Sequence, residues 1–558
     1  MPDIVARTYT VGELRTGNIH GHPPDATILF ERDVPAPMRD GVELMTNVFR
    51  PEGGGRVPAI VFLAPYGKDS MPPDQQFERI ANVGVLPFSE LAGWETPDPA
   101  FWVPNGYALV SVDCRGTNKS GGAHFEHLSA EMGRDFHDVV EWVAAQDWCD
   151  GNVGANGVSY LASTQWLGAA TNPPHLRAIM PWEGFNDFYR DHVFHGGIPD
   201  TGFFHQIWAR RMNPEGGFIA KGAVPEKIIE AQKARPLMDE FWEGKRVRLE
   251  NIDVPAYIVA GWATQGLHTR GSIEGYKRIA SREKWLEGHG RKEWETYYTR
   301  EALERQKRFF DCFLKGQESG IRDLPRVRLE IRDRFYEGRT RFFDDFPVPG
   351  TEYRPLYLDA AAGSMGKATM GPAPAAAESS VRYAALKSDN EPDTTTWSHV
   401  FAEDTDLAGG MKLRLWVAAE GADDLDLHVG LKKFDRNGAE VPFLDFQHCE
   451  DGLVASGWLR VSHREQDPAL STPDRPWLKH ERRLLLAEGE IVAAEVEILP
   501  SATGFRAGET LMLIVQGYDI LDYAARFKHA DTVNAGHHVI HTGGQYDSHL
   551  LIPVLPPA

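Results

Sequence analysis

Residues 157–166 read Gly-Val-Ser-Tyr-Leu-Ala-Ser-Thr-Gln-Trp. Just before them, Asn152–Asn156 (Asn-Val-Gly-Ala-Asn) has the length of a buried strand. Just after them, Leu161–Ala170 can run as a helix. A serine between Gly157 and small residues at such a strand-to-helix turn has the form of a nucleophile elbow. The turn is strained, so a side chain at position 157 would collide with its neighbours. The Ser159 hydroxyl then stands above the sheet, and the next backbone N–H, that of Tyr160, can point at an oxyanion. The usual spacing is G-x-S-x-G. Here the fifth place is Leu161, and the small residue arrives one place later as Ala162. An isolated G-x-S match is also found in ordinary turns, so the surrounding chain has to decide.

The surroundings read as alternating strands and helices. Ile28–Val34 and Val42–Phe49 flank Asp40-Gly41, a strong hairpin signal. Val57–Leu63 and Tyr107–Val112 are apolar, β-branched runs of buried-strand type, joined by a long loop rich in Pro and aromatic residues. Arg134–Gln146 places Phe136, Val139, Val140 and Val143 on one helical face. Leu176–Met180 and Ala256–Ala260 are further strands, and Glu301–Lys315 is an amphipathic helix stopped by Gly316. That alternation implies a parallel sheet with helical crossovers.

Residues 187–250 break the alternation. They are rich in aromatic and basic residues, carry helical spacing and offer no strand candidates, which suits a helical cap over a site. After Asp323-Leu-Pro-Arg326 the character changes to short strands, Val327–Ile331, Leu413–Val417, Leu427–Leu431, Ile491–Ile498 and Leu511–Val515, separated by turn residues. Residues 360–378, rich in Ala, Gly and Pro, read as a long loop. The expected fold is an α/β hydrolase: a mostly parallel, doubly wound sheet with a helical cap insertion and a C-terminal β-sandwich of jelly-roll type. The expected divisions are an N-terminal arm (1–27), the hydrolase domain in two parts (28–186 and 251–323), the cap (187–250) and the β-sandwich (324–558).

Bulk composition fits an enzyme of several domains. The chain has 558 residues, 42% of them hydrophobic and 25% charged, with a net charge of −21. No basic patch stands out to neutralise phosphates, which argues against nucleic acid as a partner. Cys114, Cys149, Cys312 and Cys449 are widely spaced and form no C-x-x-C pair, as expected of buried thiols in a reducing compartment. No run approaches the ~18 apolar residues of a membrane span, and the first residues lack a signal-peptide core. A cytoplasmic protein with no membrane partner is expected.

A serine hydroxyl needs a base to take its proton, and in this architecture the base is a His after the last strand. Among 21 histidines, His289 in Leu286-Glu-Gly-His-Gly-Arg291 lies about one strand-helix unit beyond Ala256–Ala260. His268 is the rival, standing where the acid loop belongs. His192 and His195 sit three apart, as do His538 and His541, but no H-E-x-x-H pattern accompanies them. Gly121-Gly122 lacks the G-K-[ST] of a phosphate cradle. No metal and no cofactor is expected.

The chain resembles the cocaine esterase and X-Pro dipeptidyl-peptidase (CocE/NonD) family of serine hydrolases over nearly its whole length. The matching segments are Pro37-Met-Arg-Asp-Gly-Val42, Ala64-Pro-Tyr-Gly-Lys68, Asp113-Cys-Arg-Gly116, Trp148-Cys-Asp-Gly-Asn-Val153, Gly157-Val-Ser-Tyr160 with Thr164-Gln-Trp166, Ala260-Gly-Trp262 and Ser548-His-Leu-Leu-Ile-Pro553. The resemblance implies Ser159 as nucleophile, Tyr66 as an oxyanion donor through its hydroxyl, and the Tyr160 N–H as the second donor. Asp113 and Arg115 are expected to form a structural ion pair beside the elbow, and Asp187, Tyr189 and Arg190 to tie the cap to the sheet.

The acid is where this sequence departs. The family pattern has an Asp two places after Ala260-Gly-Trp262. Here that place is Thr264. A Thr cannot stabilise an imidazolium by charge. Glu183, in Pro181-Trp-Glu-Gly184, is the preferred replacement. Glu274 or Glu287 are alternatives, as is a Ser-His dyad with Thr264 or Gln265 orienting the ring. The expected activity is hydrolysis of a carboxylic ester or amide through an acyl-enzyme, on a small molecule with a bulky apolar group suggested by the aromatic cap. Dipeptidyl-peptidase or amino-ester acylase activity, a hydrolase-fold lyase and a non-catalytic binding protein are the other readings. Self-association into a homo-oligomer stays open.

Overall fold

The computed structural model describes residues 5–15, 19–69, 86–212, 217–361, 368–445, 449–521 and 527–557. Parts of the loop expected between Leu63 and Tyr107, and of the loop expected at 360–378, fall outside them. The first domain is built on one sheet. Its spatial order is Val5–Thr10, Thr27–Pro37, Glu43–Arg50, Ala108–Asp113, Val57–Ala64, Cys149–Val158, Leu176–Trp182, Ala256–Gly261, Lys284–His289, Val327–Arg334 and Glu337–Phe343. From Ala108–Asp113 to Val327–Arg334 every neighbouring pair is parallel, and both flanks are antiparallel. The central strands are buried along their length because helices cover both faces. One such helix, Ala130–Ala144, is capped by the Ser129 side chain and presents Phe136, Val139, Val140 and Val143 inward. The helix Arg300–Lys315 ends at Gly316, whose φ of 66° suits glycine.

Three expectations change. The N-terminal arm is an edge strand, since Val5–Thr10 pairs with Thr27–Arg32. Val327–Ile331 does not open the β-sandwich; it pairs in parallel with Lys284–His289 and carries the hydrolase sheet on to Phe343. Its apolar side chains Val327, Leu329 and Ile331 belong to the hydrolase core, which is why it stays there. Residues 187–250 do contain strands: Phe194–His195 pairs with Ile198–Pro199, and Val224–Pro225 pairs with His124–Phe125. These are two-residue ladders, too short for period-2 patterning to reveal.

The C-terminal domain has its own core. Along Thr405–Glu420, Leu413, Leu415 and Val417 are buried while Arg414 and Trp416 are half-exposed, the alternation of a strand with one face on a core. That strand pairs antiparallel with Val492–Phe505, and Asp426–Phe434 pairs with Thr510–Gln516 and Ala455–Arg460. Gln265 bridges the two domains, donating to the Pro500 carbonyl and accepting from the Ser456 N–H. Among the described residues no helix is long and apolar enough to cross a membrane.

Candidate active site

The strand Cys149–Val158 ends at Ser159, and the helix Tyr160–Ala169 begins one residue later. Ser159 holds φ 62° and ψ −116°, a strained conformation for a residue with a Cβ. Its N–H is fixed by the Trp182 carbonyl at 3.0 Å. Gly157 sits at φ 140°, and a Cβ there would lie 2.7 Å from the Cβ of Leu161. Gly184 faces the same helix, where its Cβ would lie 2.6 Å from that of Ala162. The displaced small residue of the elbow thus follows from packing: Leu161 stands over Gly157, and Ala162 leaves room for the loop at Gly184.

The Ser159 Oγ lies 3.2 Å from His268 Nε2. His268 Nδ1 lies 3.2 Å from Glu293 Oε1, close but not aligned as a hydrogen bond. His268 precedes the helix Thr269–Arg278, on the loop after Ala256–Gly261. Glu293 lies on the loop after Lys284–His289. Both side chains are buried. Burial, with His192 as a lesser contributor, pushes His268 well below the ordinary imidazole range, so it is neutral and able to accept a proton. Burial, then Glu183 and Glu95, push the Glu293 carboxyl well up, and the Ser159 hydroxyl works the other way.

The expected contact between His289 and Ser159 is not made; this is a correction. His289 Nε2 lies 3.1 Å from Glu183 Oε1 and 3.3 Å from the Thr296 hydroxyl, and its Nδ1 accepts from the Arg291 N–H at 3.3 Å. His289 ends its strand in register with Gly261, two strands over from Trp182, which neighbours the elbow strand. Glu183 does meet His289, as the sequence suggested, and Thr264 donates to its other oxygen at 2.7 Å. This pair is therefore a buried cluster of its own. Burial works to lower His289, and the Glu183 charge overcomes it and leaves the ring raised. Glu274 pairs with Arg475, and Glu287 with Arg305 and Arg328, so neither serves as the acid.

Tyr66 lines the same cavity as Ser159 and His268, along with Tyr160, Trp208, Trp294, Glu95 and Glu293. Its ring packs edge-on to Tyr160 and Trp208, and burial, with Glu95 adding to it, keeps the phenol protonated. Tyr160 opens its helix, so its N–H has no intrahelical acceptor; its side chain turns away toward the Met132 sulfur. Glu95, which the sequence did not single out, accepts from Trp294 Nε1 at 2.9 Å, and burial pushes its carboxyl up to about 8.

Asp113 and Arg115 do not pair with each other. Asp113 accepts from the Lys68 and Lys119 N–H groups, and Arg115 pairs with Asp40 and Asp135. Asp187 and Arg190 form an ion pair at 2.8 Å, and Arg190 also reaches the Leu478 carbonyl, tying the segment 187–250 to the C-terminal domain. Glu293 went unnoticed because it stands four residues past His289, in Gly290-Arg-Lys-Glu293; its one signal was an acidic residue on the loop after the last parallel crossover strand.

Residues 40–291 match the X-Pro dipeptidyl-peptidase (S15) family, and residues 319–551 match the X-Pro dipeptidyl-peptidase C-terminal non-catalytic domain. A crystal structure of a CocE/NonD family hydrolase from Staphylococcus aureus is 43% identical, superposes with a TM-score of 0.92 and covers 99% of this chain and 97% of its own. Cocaine esterase from Rhodococcus is 25% identical over 95% of this chain and 99% of its own length. A Bacillus anthracis protein described as a putative Xaa-Pro dipeptidyl-peptidase is 23% identical over 56% of each. An α-amino acid ester hydrolase structure, at 15% identity and a TM-score of 0.68, shares the fold. The chain belongs to the CocE/NonD family of hydrolases and is an enzyme of the serine esterase and peptidase type.

Proposed function

We propose that this chain hydrolyses a carboxylic ester or amide through an acyl-enzyme on Ser159, with His268 as general base and Glu293 as the carboxyl partner of His268. The observation that carries the reading is the 3.2 Å contact between Ser159 Oγ and His268 Nε2, backed by Glu293 at 3.2 Å from the other ring nitrogen. His268 takes the hydroxyl proton as Oγ attacks the carbonyl carbon. The Tyr160 N–H and the Tyr66 hydroxyl hold the oxyanion, each such donor contributing on the order of 3 kcal/mol at the transition state. The imidazolium then protonates the leaving group. Water, deprotonated by the same ring, releases the acid and restores Ser159.

The cavity beside Ser159 has a volume of about 40 Å³ and is walled by Trp94, Phe185, Phe203, Trp208 and Trp294. A water needs roughly 10–15 Å³ by this kind of measure, so a compact acyl group fits the space as it stands, and the aromatic walls suit an apolar one. Esters head the substrate classes, since cocaine esterase is matched over almost its full length. The segment 187–250 serves as the cap, because His192, Phe203, Trp208 and Arg211 close the cavity from above the sheet. The C-terminal domain is a sandwich of jelly-roll type, with Gln265 fastening it beside the base loop.

The test is labelling with a fluorophosphonate followed by peptide mapping. The adduct belongs on Ser159 and vanishes in Ser159→Ala. Folded wild type that takes no label, or a label mapping elsewhere, rejects the acyl-enzyme.

A further inference from the structure

We propose that His428, Asp519 and His529 form a binding site for a divalent transition metal of the zinc class, at the seam between the C-terminal domain and residues 187–250. The candidate ligand atoms of the three residues lie within 4.8 Å of one another. His428 projects from the strand Asp426–Phe434 opposite Gln516, and Asp519 follows the strand Thr510–Gln516. Asp519 Oδ1 is the common point: His529 Nδ1 lies 2.6 Å from it and His428 Nδ1 3.3 Å.

Two details point to a ligand. His428 is 1% exposed, yet among the described residues neither ring nitrogen makes an aligned hydrogen bond, Nδ1 only approaching Asp519 Oδ1. A buried imidazole without partners is costly unless something else occupies its lone pair. The tautomers supply the second. His195 Nε2 lies 2.6 Å from the Gly266 carbonyl, which can only accept, so that nitrogen carries the proton. In the neutral ring His195 Nδ1 is then an acceptor, and the His529 Nε2 it faces at 2.8 Å must be the donor. His529 Nδ1 then faces the Asp519 carboxylate at 2.6 Å. In the metal-free protein that contact holds the ring proton, and a metal ion would take the proton's place between the two groups.

The set is of zinc type, with two imidazoles and one carboxylate. The outer contacts are those that orient metal ligands: His195 holds His529 Nε2, and the His529 N–H holds Asp519 Oδ2 at 2.9 Å. Metal–ligand bonds of about 2.0–2.2 Å require the 2.6 Å contact to open modestly. Asp519 also lines a cavity of about 50 Å³ with Trp458, Phe527 and Gln265, room for a water as fourth ligand. A bound M²⁺ displaces the proton between His529 and Asp519, so binding releases it to buffer. The ion would pin His428 and His529 of the C-terminal domain to His195, and His195 to Gly266, two residues before His268.

The experiment uses the full chain, stripped with chelator and titrated with zinc by calorimetry in buffers of different ionisation enthalpy. Expected are one equivalent bound, about one proton released per ion, and a visible cobalt(II) band of four-coordinate type. His428→Gln and Asp519→Asn should each weaken binding at least tenfold, with circular dichroism confirming that both fold. Failure of the stripped wild type to bind zinc, or unchanged affinity in both folded variants, overturns the site and leaves a protonated His529–Asp519 pair.

Discussion

His268 Nδ1 and Glu293 Oε1 lie 3.2 Å apart, the histidine on the loop after Ala256–Gly261 and the glutamate on the loop after Lys284–His289. The family pattern places an acid on the first of these loops and the base beyond the second strand. On the proposed reading the two roles change places, so Thr264 can stand where the acid was expected. The loops leave adjacent parallel strands, the first two strands and the second three strands from the elbow strand.

Glu293→Gln keeps the size of the side chain and removes a carboxyl that can ionise as the imidazolium forms beside it. A neutral amide can hold His268 in the wrong tautomer and cannot stabilise the imidazolium. We expect kcat to fall by roughly 10³–10⁴ with KM nearly unchanged, measured by steady-state hydrolysis of a p-nitrophenyl ester. A fall of less than tenfold would remove Glu293 from the proton path.

Glu95 gives a pH signature. Its carboxyl is held at about 8 in the folded protein against 4.5 as the ordinary value, with burial the main cause. The native state therefore binds this proton more tightly than the unfolded chain. Stability is greatest below about 4.5 as far as this group is concerned, and is lost as pH rises toward 8. Glu95→Gln should flatten the decline of Tm across that window, read by calorimetry. An unchanged Tm slope would contradict the buried, protonated Glu95.

Gly184→Ala tests the packing account of the elbow. The added methyl meets Ala162 at 2.6 Å. Forcing a methyl into a packed site costs about 1–3 kcal/mol, and here it pushes on the helix that carries Ser159. Denaturant unfolding should show that loss, together with slower fluorophosphonate labelling. Wild-type stability in the variant would mean that the loop at Gly184 has free room.

The cavity volume predicts chain-length selectivity. Acetyl and propionyl p-nitrophenyl esters should be cleaved with higher kcat/KM than octanoyl esters. Enlarging the wall with Phe203→Ala should shift preference toward longer chains. A wild type that prefers octanoate would show that the aromatic wall opens readily.

Most of the architecture was legible in the sequence because it is local. The buried strands are apolar runs, the helix Arg300–Lys315 carries its own stop at Gly316, and the hairpin turns at Asp40-Gly41. Ser159 was legible for the same reason, as the elbow is set by its immediate neighbours. The base was not. Which imidazole reaches Ser159 depends on how far each loop travels after leaving its strand, and both His268 and His289 satisfy the order along the chain. Glu183 lies against His289, and that pair closes on itself and on Thr264. That the strand Val327–Arg334 pairs with Lys284–His289 was not legible, because a short alternating strand carries no mark of the sheet it joins.

The central claim is that His268, and not His289, activates Ser159. The most direct test compares the rate of fluorophosphonate labelling at Ser159 in His268→Asn and His289→Asn, with folding of each verified by circular dichroism. The account predicts a loss of roughly 10³ or more in His268→Asn and a rate within about tenfold of wild type in His289→Asn. Near-wild-type labelling of His268→Asn with loss in His289→Asn would contradict it.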